Sequence, residues 1–278
     1  MIRLGLALLL ATIYGCSPMI ATDNSTDRFF KKRGLKYNIE LDSIHNHMLR
    51  WVEVSTLEKD TVPIILFVHG ASGSANNFYQ FLADSSLLKH ARLISLDRLG
   101  YSPYDQGESV VSIQKQSDAL AKVLTHYQYP WLLIVGHSYG GPIVANYTLD
   151  YPEKIKAAIL LAPALDPENE KVLGIAKLTE WKATKWMIPD FFMVAADEKN
   201  VHVEQLKLLL PKWETAQVPF VHLHGTKDGI VPYENTDFSK RVINEEFLEV
   251  ISIENGNHLL PWSETELIKK ELLRWVNK

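Results

Sequence analysis

The sequence predicts an α/β domain: a mostly parallel, eight-stranded sheet flanked by helices, with a helical cap inserted into it. Three observations carry this. Strand-like and helix-like segments alternate over most of the chain. Several strand-like segments are unbroken apolar runs, as expected of strands buried on both sides. Near the middle, Gly136-His137-Ser138-Tyr139-Gly140 joins one such strand directly to a helix.

The 278 residues divide unevenly. Arg3 is followed by an apolar run, Leu4 to Ile13, and then by Tyr14-Gly15-Cys16. A membrane-spanning helix needs about 20 apolar residues, so the run is too short for one. A basic start, a short apolar stretch and small residues read as a secretory signal over 1–15. The chain's single cysteine stands where cleavage would occur. That pattern is similar to a bacterial lipoprotein signal, in which Cys16 becomes the lipidated first residue. Tyr14 departs from the small residue usual there, and an ordinary signal peptide is the alternative. The expected location is the bacterial cell envelope, lipid-anchored to a membrane, or else periplasmic or secreted. One cysteine allows no disulfide within the domain. Residues 16–34, polar and rich in Asp, Asn and Lys, read as a flexible tether.

The domain proper spans 35–278. Leu35 to Leu41 and Met48 to Val54 read as two antiparallel entry strands. Val62 to Val68 is a buried strand that stops at His69-Gly70, and Asn76 to Ala83 suggests a short helix. Ala91 to Leu96 is the next strand, ending at Asp97. Ser112 to Tyr127 has helical periodicity through Ile113, Leu120, Val123 and Leu124. Trp131 to Val135 leads into the Gly136 junction, a helix runs on to about Tyr151, and Ile155 to Leu161 is again a strand. From about 163 to 217 no strand pattern occurs, and this stretch is the expected cap. Val218 to His224 and Glu246 to Ile253 complete the eight strands. A last helix starts near Pro261, with Ser263 and Glu266 spaced for a capping box.

Composition narrows function. The chain is 46% hydrophobic and 22% charged, with a formal net charge of -4. There is no basic excess to suit nucleic acid. His45-x-His47 and His222-x-His224 could place two ligands on one strand face, but no further His, Cys or carboxylate cluster accompanies them, so no metal is expected. No nucleotide-binding or zinc-protease motif occurs, and no cofactor is expected.

The chemistry is concentrated at Gly136-His137-Ser138-Tyr139-Gly140. G-x-S-x-G alone is a weak pattern; between a buried strand and a helix it is a strong one. A serine on so sharp a turn is held in a strained conformation and lifted clear of the sheet. It also sits at a helix N-terminus, where backbone N–H groups face developing negative charge. A serine hydroxyl needs a base. Of the histidines downstream, His202 falls in the cap and His222 and His224 in a strand; His258 lies in a loop after the last strand. Asp228, just past a strand end, suits the acid that orients this imidazole, with Asp166 and Asp197 as rivals. His137 reads as packing or tuning this turn.

The chain resembles the α/β-hydrolase superfamily over about residues 35 to 278. His69-Gly70 is similar to the family's oxyanion loop, and Asp97-Arg98-Leu99-Gly100-Tyr101-Ser102 to its D-R-P-G-x-G-x-S segment, with Leu99 and Ser102 as departures. His224 to Pro232 is similar to H-G-x-x-D-x-x-V-P, and Gly256-Asn257-His258 to the G-x-H end. The resemblance implies an oxyanion hole from the backbone N–H groups of Tyr139 and Ala71. It also implies that Ser138 excludes the branches that use Asp at this point. The expected activity is a serine hydrolase, cleaving a carboxylic ester of an apolar small molecule or lipid through an acyl-enzyme. The same three residues could instead cleave an amide, thioester, lactone or carbon–carbon bond. A non-catalytic surface lipoprotein is the reading from another class. Trp181, Trp186, Met187, Phe191, Phe192 and Met193 in the cap could line an apolar pocket or simply pack; packing is favoured for each singly.

Overall fold

Eight strands form one sheet in the computed structural model, which describes residues 20–57, 61–105, 107–170 and 189–278. They are β1 (Asn38–Ile44), β2 (His47–Val54), β3 (Ile64–Val68), β4 (Arg92–Asp97), β5 (Leu132–His137), β6 (Ile155–Leu161), β7 (Phe220–Gly225) and β8 (Leu248–Ile253). Their spatial order is β1-β2-β4-β3-β5-β6-β7-β8. β1 and β2 pair antiparallel through a tight hairpin, with His45 and Asn46 both at positive φ, and β2 runs antiparallel to β4. Every other pairing is parallel. The first strand is therefore shifted toward the hairpin relative to the Leu35–Leu41 expectation.

The helices among the described residues are α1 (Asp23–Lys31), α2 (Tyr79–Leu82), α3 (Ser85–Leu88), α4 (Ile113–Leu124), α5 (Gly140–Asp150), α6 (Asp190–Leu209), α7 (Asn235–Val242), α8 (Leu260–Ser263) and α9 (Thr265–Val276). None of the described helices is long and apolar enough to cross a membrane.

Strand periodicity divides the core. Ile64, Leu66 and Val68 point to the face covered by α4 and α5, where Leu120, Val123, Ile143 and Val144 lie. Ile65 and Phe67 point to the other face and join Phe78, Phe81, Leu272 and Trp275. Because both faces are covered, the central strands need apolar residues at every position. β3 is accordingly buried throughout.

The chain leaves β3 for β4 on one side, and later enters β5 on the other. The β3–β5 boundary is thus the point where the winding direction reverses. Loops leaving these two strand ends diverge, and a crevice forms there. Val68 pairs with Gly136, so the ends of β3 and β5 are level.

Three local expectations need correction. The flexible tether of 16–34 is folded from Ala21 onward: α1 occupies its middle, capped by Thr22 Oγ1, and Phe30 is fully buried and stacked on Tyr37. Polar ties hold this helix. Arg50, fully buried in β2, donates to Asp23, Thr26 and Asp97. Second, Ser263 and Glu266 form no capping box. Ser263 ends α8, so its hydroxyl donates back to the Leu259 carbonyl, while Glu266 pairs with Lys269. Third, α7 was not anticipated between β7 and β8. Cys16, the apolar run before it, Trp181, Trp186 and Met187 lie outside the described residues.

Candidate active site

Ser138 follows β5 at φ 54°, a left-handed conformation that a non-glycine residue adopts only at a cost of about 1–3 kcal/mol. The surrounding turn enforces it. A Cβ on Gly136 would lie 2.5 Å from the Gly140 carbonyl oxygen, and one on Gly140 would lie 2.4 Å from that of Val68. Strand and helix pack backbone against backbone, which only glycine allows. The Ser138 N–H bonds the Leu161 carbonyl at 3.0 Å, and Tyr139 is the N-cap of α5.

His258 and Asp228 reach this serine from the ends of β8 and β7. The two loops are laced together: Lys227 N–H donates to the Gly256 carbonyl at 2.9 Å, and Asn255 N–H to Thr226 Oγ1 at 2.9 Å. His258 Nε2 lies 2.9 Å from Ser138 Oγ, and His258 Nδ1 lies 2.7 Å from Asp228 Oδ2. Asp228 Oδ1 accepts from the N–H groups of Ile230 at 2.8 Å and Val231 at 2.9 Å. Burial works against its charge, but the bonds from His224 and His258 outweigh it. The carboxyl is held well below the usual carboxylate range.

The three residues named from the sequence are therefore brought together in series. The rivals are elsewhere. Asp166 accepts from Glu168 N–H and Asn169, and Asp197 accepts from Ser109. His137 Nε2–H donates to the His258 carbonyl at 2.9 Å and so fixes that loop's backbone. Burial, then the neighbouring His258, lowers the His137 pKa to about 3, which keeps this imidazole neutral.

Ala71 opens the turn after His69-Gly70. Gly70 lies so close to the serine that a Cβ there would be 2.8 Å from Ser138 Cβ. Its carbonyl accepts from His69 Nδ1–H at 2.7 Å and Arg98 Nη2 at 3.3 Å. A trans peptide points its C=O and N–H in opposite directions, so these bonds aim the Ala71 N–H away from the His69–Arg98 side.

The segment Asp97-Arg98 carries a connection that its motif alone does not show. In the structure Arg98 is fully buried and forked onto Glu198 of α6, at 2.5 and 3.1 Å. Tyr101 donates to the same carboxylate at 2.7 Å, and His202, also on α6, lies against the Tyr139 ring. The cap helix is thus bonded to the loop after β4 and packed on Tyr139, the residue after Ser138. An arginine following a strand end was the available signal; its partner, some 100 residues on, had none. Of the other histidines, His45 bonds Asp118 and His47 bonds Asp105, whereas His222 and His224 bond each other. Trp213 packs on Phe220 and Phe238 in the core; Phe191, Phe192 and Met193 of α6 are half-buried.

A protein-family model described as the alpha/beta hydrolase fold matches residues 63–198. The chain is 30% identical over 133 residues to a (lyso)-N-acylphosphatidylethanolamine lipase of Mus musculus, a match covering 44% of this chain and 36% of that protein. It spans about a third of the length of the first curated relatives it matches. A solved bacterial membrane phospholipase A, described as a virulence factor, superposes with a TM-score of 0.66 at 19% identity, covering 100% of this chain and 99% of that one. The thioesterase domain from the curacin biosynthetic pathway superposes at 0.65 with 15% identity, covering 86% and 99%. Together with the eight-stranded sheet, these findings establish the α/β-hydrolase fold for this chain.

Proposed function

We propose that this chain is a serine hydrolase that cleaves a carboxylic ester of an apolar small molecule or lipid through an acyl-enzyme. The observation that carries the reading is the series Ser138–His258–Asp228, hydrogen-bonded at 2.9 and 2.7 Å, with the serine at positive φ on a helix N-terminus. Ser138 Oγ attacks the ester carbonyl while His258 Nε2 takes its proton. Asp228 holds the imidazole and stabilises its cation. The N–H groups of Tyr139 and Ala71 face the oxyanion; one such donor is typically worth about 2.7–4 kcal/mol. His258 then gives the proton to the leaving alcohol. Water, deprotonated by the same imidazole, releases the acid and restores Ser138.

Two features favour an acyl-lipid ester within this class. Phe191, Phe192 and Met193 present half-buried apolar surface on the cap helix. The mouse relative and the bacterial neighbour are both named for lipid cleavage. We place the protein at the bacterial cell envelope, anchored through lipidated Cys16. Cys16→Ala should release it from membranes or block its processing, and unchanged membrane association contradicts the anchor.

The activity is tested by hydrolysis of nitrophenyl esters of increasing acyl length, with wild type and Ser138→Ala in parallel. Turnover by the wild type that disappears in the variant supports the ester reading, and the chain-length optimum sizes the pocket. No turnover on any ester moves the same three residues to an amide, thioester, lactone or carbon–carbon bond.

A further inference from the structure

Behind Asp228, on the side away from His258, lies a second line of hydrogen bonds. His224 Nε2 faces two acceptors, Asp228 Oδ2 at 3.3 Å and the Val231 carbonyl at 3.2 Å. His224 Nδ1 is 2.9 Å from His222 Nε2. His222 Nδ1 is 2.8 Å from Ser239 Oγ, on α7. All three side chains are fully buried, so water completes none of these bonds.

The donors follow from the partners. With two oxygen acceptors before it, His224 Nε2 carries a proton. In the arrangement with one proton on each ring, His224 Nδ1 is a lone pair and His222 Nε2–H donates to it. Burial, then the neighbouring His224, holds the His222 pKa far below its usual value, so His222 is neutral. His222 Nδ1 therefore accepts, and the Ser239 hydroxyl donates. The reversed chain would place an imidazolium at His224 and leave Ser239 only the Asn235 carbonyl, at 3.3 Å.

We propose that Ser239, His222 and His224 form a one-way hydrogen-bond relay that positions Asp228 and thereby tunes His258. This rests on reading Ser138, Asp228 and His258 as the catalytic residues. His222 and His224 are positioning residues in it. A neutral donor orients the carboxylate without cancelling the charge that the His258 cation needs; a cationic His224 would cancel it. Asp228 takes three N–H hydrogen bonds, and this donor, shared between the Val231 carbonyl and Asp228 Oδ2, stands 3.3 Å behind them and disfavours another orientation. The titratable groups around the relay are Asp228 and His258 at its end, His137 above His258, Tyr233 edge-on to His224, and Lys240, whose charge acts on His222.

Nitrogen-15 NMR of histidine-labelled full-length protein reads the relay directly. Both His222 and His224 should be protonated at Nε2 alone. A proton on Nδ1 of either ring, or an imidazolium at His224, overturns the proposal. Kinetics supply the second readout. His224→Phe keeps a planar ring but removes the donor, leaving the Asp228 charge more localised on the His258 side. Its acid limb of kcat/KM should move to higher pH by about 0.5–1 unit, with kcat lowered and KM unchanged. His224→Gln, whose amide can still donate, should retain the wild-type limb. If both variants keep the wild-type limb, His224 only packs and the relay has no positioning role. Should Ser138→Ala retain full turnover, the underlying assignment fails instead, whatever tautomers the spectra show.

Discussion

At Asp228 the direction of each hydrogen bond matters more than its length. Oδ1 is committed to the Ile230 and Val231 N–H groups and Oδ2 to His258, with His224 Nε2 3.3 Å behind it. In Asp228→Asn, the backbone donors would claim the amide oxygen. The NH₂ group would then face His258 Nδ1 and force it to accept. That puts the imidazole proton on Nε2, where it has no lone pair for Ser138. The expected result is a folded protein with kcat lowered about 10⁴-fold, measured beside its circular dichroism. A folded variant within tenfold of wild type contradicts this account of the acid. The choice of Asp228 over Asp166 and Asp197 was legible in the sequence, since only Asp228 stands just past a strand end in an H-G-x-x-D stretch. The carboxylate's second set of partners was not. His222 and His224 looked like alternate residues of a strand, and only α7, which carries Ser239, reveals what they do.

Among the elements, α6 is the one whose attachment links cap to site. It is bonded through Glu198 to Arg98, which in turn holds the Gly70 carbonyl. Both side chains are fully buried. Glu198→Ala leaves an uncompensated guanidinium inside the protein, and should destabilise it by about 3–5 kcal/mol in urea unfolding. The double variant Arg98→Met, Glu198→Leu removes both charges and should recover much of that loss, yet still free the oxyanion loop and lower kcat. Equal stabilities of Glu198→Ala and wild type would show that the pair is not coupled in solution. This joint could not be read from the chain, because α6 has no sequence signal connecting it to residue 98. The strands and the serine turn could, because a fully buried strand writes its environment into every position. α1 was hidden for the opposite reason: it is held by Arg50 and capping bonds, with few apolar residues to mark it.

Over the whole molecule, buried histidines set the response to acid. Burial lowers the pKa values of His69, His137, His202 and His222, the first and last far below the usual value and the other two to about 3. Each is depressed in the folded state, so the unfolded chain binds more protons below about pH 6.5. Stability should therefore be full above that pH and fall as the pH drops, by up to about 1.4 kcal/mol per unit for each such ring. Asp228 behaves alike in sign but at lower pH: its contribution is present above the ordinary carboxylate range and lost only as the pH falls through its depressed folded value. Thermal melts between about pH 7.5 and 5 measure this. A melting temperature that stays level over that interval contradicts neutral burial of these rings.

The central claim is that Ser138 is a nucleophile activated by His258. Labelling of the full chain with a fluorophosphonate, followed by peptide mass spectrometry, tests it most directly. One adduct on Ser138, abolished in Ser138→Ala and strongly slowed in His258→Ala, is the predicted result. An unlabelled wild type, or an adduct on another residue, would contradict it.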